Sequence, residues 1–193
     1  MAASIPARRG LFIMLAAVLL GALCALVVNT LPVFLTVLAR TFALSEQEVG
    51  YVALADMGGI AVGTIGCALS PRIVSSLGWR KVAFAGIAVF ITGNMLTTQA
   101  ASFAPLLLSR AVTGIGGGMA MAIAYAVIAD GVDSARDLAI FNVFQLGTGA
   151  IGVRLLGPIA EMLGPKGLFE IICGLAICAI PPCFVLPVMH SSS

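Results

Sequence analysis

Four polar side chains stand inside stretches that are otherwise apolar: Asn29, Asp56, Arg110 and Arg154. An Asp56–Arg110 pair would neutralise both partners. That leaves Arg154 to hold an anionic group through its two-pronged guanidinium fork. A carboxylate kept beside an arginine is also the ingredient of a proton-coupled switch, because protonation breaks the pair. Gln145, Asn94 and Tyr125 can add hydrogen bonds but read first as packing contacts; Gln145 joins the candidate list.

The surroundings explain why these groups stand out. The chain has 193 residues, 61% of them hydrophobic and 9% charged, with a mean hydropathy of +1.14. A water-soluble domain carries about a quarter charged residues, so the expected solvent here is a lipid bilayer. In that setting an ionisable side chain at depth costs at least about 2.5 kcal/mol unless paired or wet, and is a functional candidate for that reason. The net charge of +2 and the lack of a basic run argue against nucleic-acid binding.

Six segments are long enough to span a bilayer core of about 30 Å: 11–38, 49–69, 82–98, 104–129, 138–163 and 168–188, forming one transmembrane domain over 1–193. Ser45 and Glu48 in "LSEQEVG" form a capping-box pattern that opens the second. The first apolar run is longer than a signal peptide's usual ~7–15 residues and has no small-residue cleavage site. It is read as a span. Counting Lys and Arg in the loops places Arg8, Arg9, Arg72, Arg80, Lys81 and Arg136 on one side, and only Arg40 and Lys166 on the other. By the positive-inside rule both termini are cytoplasmic, in the plasma or inner membrane. Measured from the outer end of its span, each deep polar group lies roughly 9–14 Å down, which predicts one layer in the outer half of the membrane.

Glycine pairs at a spacing of four let neighbouring helices approach closely. Gly114 and Gly118 make such a pair, as do Gly59 and Gly63; Gly116 and Gly117 widen the smooth surface around the first. "GIGGG" is not a dinucleotide fingerprint, since Met119 occupies its third glycine place, and no Gly-Lys-Ser/Thr phosphate loop is present. Trp79 and Tyr51 stand at span ends, as interface anchors do. The five cysteines lie in apolar stretches and read as buried hydrophobes. No cofactor or metal is expected. An enzyme is not expected either: His-Glu-x-x-His is absent, and the single histidine, His190, is in the tail.

Two turns resemble each other: "LSPRIVSSLGWRK" and "LGPIAEMLGPKG" both carry Leu-x-Pro followed by Leu-Gly, around Pro71 and Pro158. They fall on opposite sides of the membrane, as a three-plus-three inverted repeat requires. The fold expected is an all-α bundle of six transmembrane helices built from that repeat.

At this point the chain resembles the major facilitator superfamily. "SRAVTGIGGGMA" matches the family's Arg-x-x-x-Gly-x-Gly signature of the fourth helix through Arg110, Gly114 and Gly116. "GWRK" is similar to the end of the loop signature between helices two and three, through Gly78, Arg80 and Lys81. "LGPIAEMLGPKGLF" resembles the fifth-helix region through Gly157 and Pro158. Ser75 and Ser76 stand where the loop signature carries Asp-Arg. The resemblance implies a half of a twelve-helix transporter, with helices one, two, four and five facing the pathway or second half and three and six facing lipid. It implies secondary transport of a small solute by alternating access. The surplus positive charge of the deep groups leans toward an organic anion, a neutral drug-like or sugar solute fits nearly as well, and the Asp56–Arg110 pair leaves proton coupling open. The second six-helix half would come from a homodimer or a separate C-terminal half. The competing expectation is a truncated or structural membrane protein that packs but does not transport.

Overall fold

A computed structural model describes residues 7–131 and 133–186. The side chains of Arg8 and Arg9, His190 and the last two residues of the sixth expected span lie outside the described residues.

Every described element is helical. The stretch expected as the first span holds two helices, α1 (Ala7–Asn29) and α2 (Leu31–Phe42), which meet at Thr30. The break has a local cause. Pro32 near the start of α2 has no N–H to give to the preceding turn, while the buried Thr30 hydroxyl donates back to the Leu26 carbonyl (2.5 Å). Helix α3 (Glu46–Leu69) opens with the expected capping box: the Glu48 carboxylate accepts from the Ser45 backbone N–H (2.9 Å). The short α4 (Pro71–Leu77) follows, and then α5 (Trp79–Gln99). The joint between them is Gly78, whose φ of +82° lies where only glycine sits without strain. Helix α6 (Phe103–Ala129) carries the glycine run.

Helical hydrogen bonding then continues through α7 (Ser134–Cys178), with α8 (Ile180–Val185) closing the described chain. A straight helix over 134–185 would be about 78 Å long, more than twice the thickness of a bilayer core. Instead Gly164 (φ +70°, ψ 179°) breaks the helix immediately before Pro165. Leu156 and Ala160 from the first arm, and Leu168, Phe169 and Ile172 from the second, enter one buried cluster with Val27 and Phe34. The chain therefore doubles back at Gly164, and 134–163 and 165–185 form two antiparallel arms.

Among the described residues, five stretches are long and apolar enough to cross a membrane, the last being this double-length arm pair. The protein is an all-helical, multi-pass membrane protein. Helix α6 is its axis, packed against α3 on one side and α5 on another. A second cluster joins α1, α5, α6 and the first arm of α7 through Leu20, Ile87, Ile123 and Phe141.

Candidate functional site

The glycine run shapes the ground on which the site stands. A Cβ on Gly114 or Gly118 would come closer than 3.0 Å to the Asp56 or Ile60 carbonyl oxygen of α3. One on Gly59 or Gly63 would strike the Ala111 or Ile115 carbonyl of α6 in return. The two backbones therefore touch without side chains between them. Gly116 serves a different face: its absent Cβ makes room for the backbone of Gly86 and Phe90 in α5. Residues 114, 116 and 118 thus divide between two neighbours, as the ~100° rotation per helical residue demands. The run does not form one broad sliding surface.

One helical turn along α6 from this contact lies the ion pair. Arg110 Nη2 donates to both Asp56 oxygens at 2.7 Å, and Nε donates to Oδ2 at 3.1 Å. Nη1 turns the other way and donates to Asn94 Oδ1 (3.2 Å), while Asn94 Nδ2 donates to the Phe90 carbonyl (2.9 Å). The Phe169 ring covers the guanidinium, its centroid 5.7 Å from the central carbon. Arg110 and Asn94 are 0% exposed and Asp56 is 2% exposed. Four helical segments thus meet around one charge: α3, α5, α6 and the second arm of α7.

This arrangement settles where Arg110 finds compensation. All three of its nitrogens are engaged inside this one chain, so it faces neither an open cavity nor a surface left for a partner. Beside the pair lies a cavity of about 10 Å³, lined by Asp56, Thr113, Gly114 and Gly117, about the space one water needs. Asn94 was the residue hardest to see from sequence. It lies on a span with few polar groups and reads as a packing contact, yet among the described residues it accepts the one guanidinium hydrogen bond that does not go to Asp56.

The remaining candidates do not join this cluster. Asn29 Nδ2 donates to the Gln145 backbone carbonyl (3.0 Å), so that bond uses the main chain of Gln145 and not its side chain. Gly149 and Gly152 make room there for Asn29 and Thr30 at the α1–α2 break. Arg154 is exposed on the first arm of α7 and forms no salt bridge among the described residues. The four deep groups therefore separate into an enclosed pair, a helix seam and a free surface cation.

Gly157 and Pro158 lie inside the first arm of α7; no atom of another helix lies within 4 Å of a Cβ placed on Gly157. Arg80 Nε donates to the Leu186 carbonyl (2.5 Å), tying the α4–α5 joint to the end of the last helix, while Lys81 is exposed. Trp79 is buried in the core and not spread at an interface, whereas Tyr51 is exposed and its hydroxyl accepts from Gln47 Nε2 (2.9 Å).

Known proteins frame this geometry. The chain is 25% identical over 143 residues to the multidrug resistance protein MdtL of Klebsiella pneumoniae (strain 342), covering 72% of this chain and 36% of that one. It is 29% identical over 115 residues to the multidrug transporter protein MdtP of Bacillus subtilis (strain 168), covering 58% and 21%. The matched stretch thus spans little more than a third of MdtL and about a fifth of MdtP. The family model of the Major Facilitator Superfamily matches residues 5–192, nearly the whole sequence. The chain belongs to the major facilitator superfamily.

Proposed function

We propose that this chain forms one half of a secondary transporter that moves a small solute across the membrane by alternating access. The observation that carries the proposal is the Asp56–Arg110–Asn94 cluster, seated beside a backbone-to-backbone helix contact. The family match and the multidrug names of its relatives support transport as the activity. The six spans are taken as a three-plus-three inverted repeat with both termini cytoplasmic.

The cluster acts as a latch in this reading. While Asp56 is ionised, its two oxygens hold Arg110 and so hold α3 to α6. A proton delivered to Asp56 removes the negative partner and releases the guanidinium. The cavity beside Asp56 gives a water a place from which to deliver that proton. Smooth glycine surfaces then let α6 shift against α3 without side chains catching. Arg154, exposed and unpaired, is assigned to the solute, where its fork would hold an organic anion. A second six-helix half, supplied by another copy or another chain, covers the face that carries Arg154.

The test is flux of a radiolabelled organic anion into proteoliposomes under an imposed pH gradient. Asp56→Asn is expected to abolish gradient-driven uptake, and Arg154→Gln to lower uptake while leaving its dependence on the gradient. Uptake that is unchanged in Arg154→Gln rules out its solute role. If neither the wild-type chain nor its assembly with a second half shows flux, the chain is a structural membrane protein.

A further inference from the structure

A second feature lies at the end of the bundle away from Arg80 and Lys81. There the end of α2, the end of α5 and the Gly164 turn border a half-open cleft of about 400 Å³. This falls within the ~300–1,000 Å³ of ordinary small-molecule pockets. Leu38, Phe42 and Phe169 supply its apolar walls, and Lys166 stands among its lining residues as the one charge. Lys166 is exposed and has no salt bridge among the described residues.

The remaining polar lining is hydroxyl, and its protons are already committed. Thr41 donates to the Val37 carbonyl (2.7 Å), Thr97 to Gly93 (2.9 Å) and Thr98 to Met95 (2.7 Å). The ammonium of Lys166, with its three donors, is then the strongest polar attraction the cavity offers. An apolar lining with one cation in it matches a ligand with an apolar tail and a single anionic head. No carboxylate lines the cavity to attract a cationic amphiphile.

We infer that this cavity is a binding site for amphiphilic anions, with the head held by Lys166 and the tail packed toward Phe169. The position of Phe169 gives the site reach. Its ring is at once a wall of the cavity and the cover over Arg110, and it also stacks on Phe34 with centroids 5.7 Å apart. One aromatic ring separates a bound tail from the buried pair.

The inference concerns binding and stands independently of transport, so its failure leaves the flux proposal intact. The experiment is equilibrium dialysis of radiolabelled octanoate against the chain in phosphatidylcholine nanodiscs, with empty nanodiscs as blank and octyltrimethylammonium as the cationic control. One saturable octanoate site per chain is expected, with the control at the blank level. Lys166→Gln is expected to weaken binding about tenfold, the loss of one charge-assisted hydrogen bond, while Lys166→Arg retains it. Thr98→Phe, which fills the cavity, is expected to remove it. An anionic phospholipid that co-purifies with wild type and Lys166→Arg but not with Lys166→Gln supports the same site with a lipid as its natural source. Equal binding of octyltrimethylammonium, or unchanged octanoate binding in Lys166→Gln, overturns the inference.

Discussion

A guanidinium with no exposure survives in an apolar bundle only if each of its nitrogens finds an oxygen, and Arg110 achieves this with two residues. Such a pair contributes little net stability, because desolvation offsets the attraction, but removing one partner strands the other. Arg110→Ala and Asp56→Ala are each expected to destabilise the protein by about 3–5 kcal/mol. The double variant is expected to cost clearly less than their sum. Thermal melting in detergent, read as a double-mutant cycle, checks this; strict additivity would mean the two charges are separately solvated. Asn94→Leu leaves a guanidinium N–H unanswered and should cost about 1–3 kcal/mol in the same assay. The Asp56–Arg110 pairing can be read from sequence because two opposite charges at similar depth have few other options. Asn94 cannot, since an amide is cheap enough to bury for packing alone, and only the helix crossing shows which charge it meets.

Between helices, the contact surfaces are set by what is missing from side chains. Gly114→Val and Gly118→Val push a side chain into the α3 backbone, which cannot yield as a flexible side chain would. Both are expected to lower folded yield and melting temperature, with a loss of at least the ~1–3 kcal/mol typical of overpacking. Gly157→Ala is the contrasting case: a Cβ there meets nothing within 4 Å from the other helices, so the only cost is crowding against the following Pro158, and the loss is expected to stay within about 1 kcal/mol. A large loss at Gly157 would show that this helix needs a bend the structure does not display. The spans themselves were readable as long apolar runs, and the Gly164 turn as "LGPKG". The break at Thr30 was harder to see, since "VVNTLPVF" continues the apolar run and only Pro32 hints at an interruption. The division of Gly114, Gly116 and Gly118 between α3 and α5 was also hidden, because spacing reveals which glycines share a face but not which neighbour each face meets.

For the whole molecule, lipid and water impose different demands on the outer faces. Leu54, Val62, Val143, Leu146 and Met162 are exposed on α3 and the first arm of α7, and lipid chains satisfy such groups as well as protein does. Arg154 on the same arm is not satisfied that way: a cation facing lipid at depth costs about 2.5–3.5 kcal/mol even with relaxation. A single copy in a bilayer leaves that cost in place, and a second bundle closing over a wet, polar interface removes it. Native mass spectrometry of this chain alone in nanodiscs is therefore expected to show two copies per disc. A cysteine at position 154, in a background without the native cysteines, is expected to react with a membrane-impermeant maleimide, because the interface proposed to cover it is a water-filled path. A cysteine at position 110 should stay unlabelled in the folded protein. Single copies per disc, with position 154 unreactive, would mean that Arg154 reaches the headgroup layer unaided. The covering half would then have to be justified on some ground other than charge.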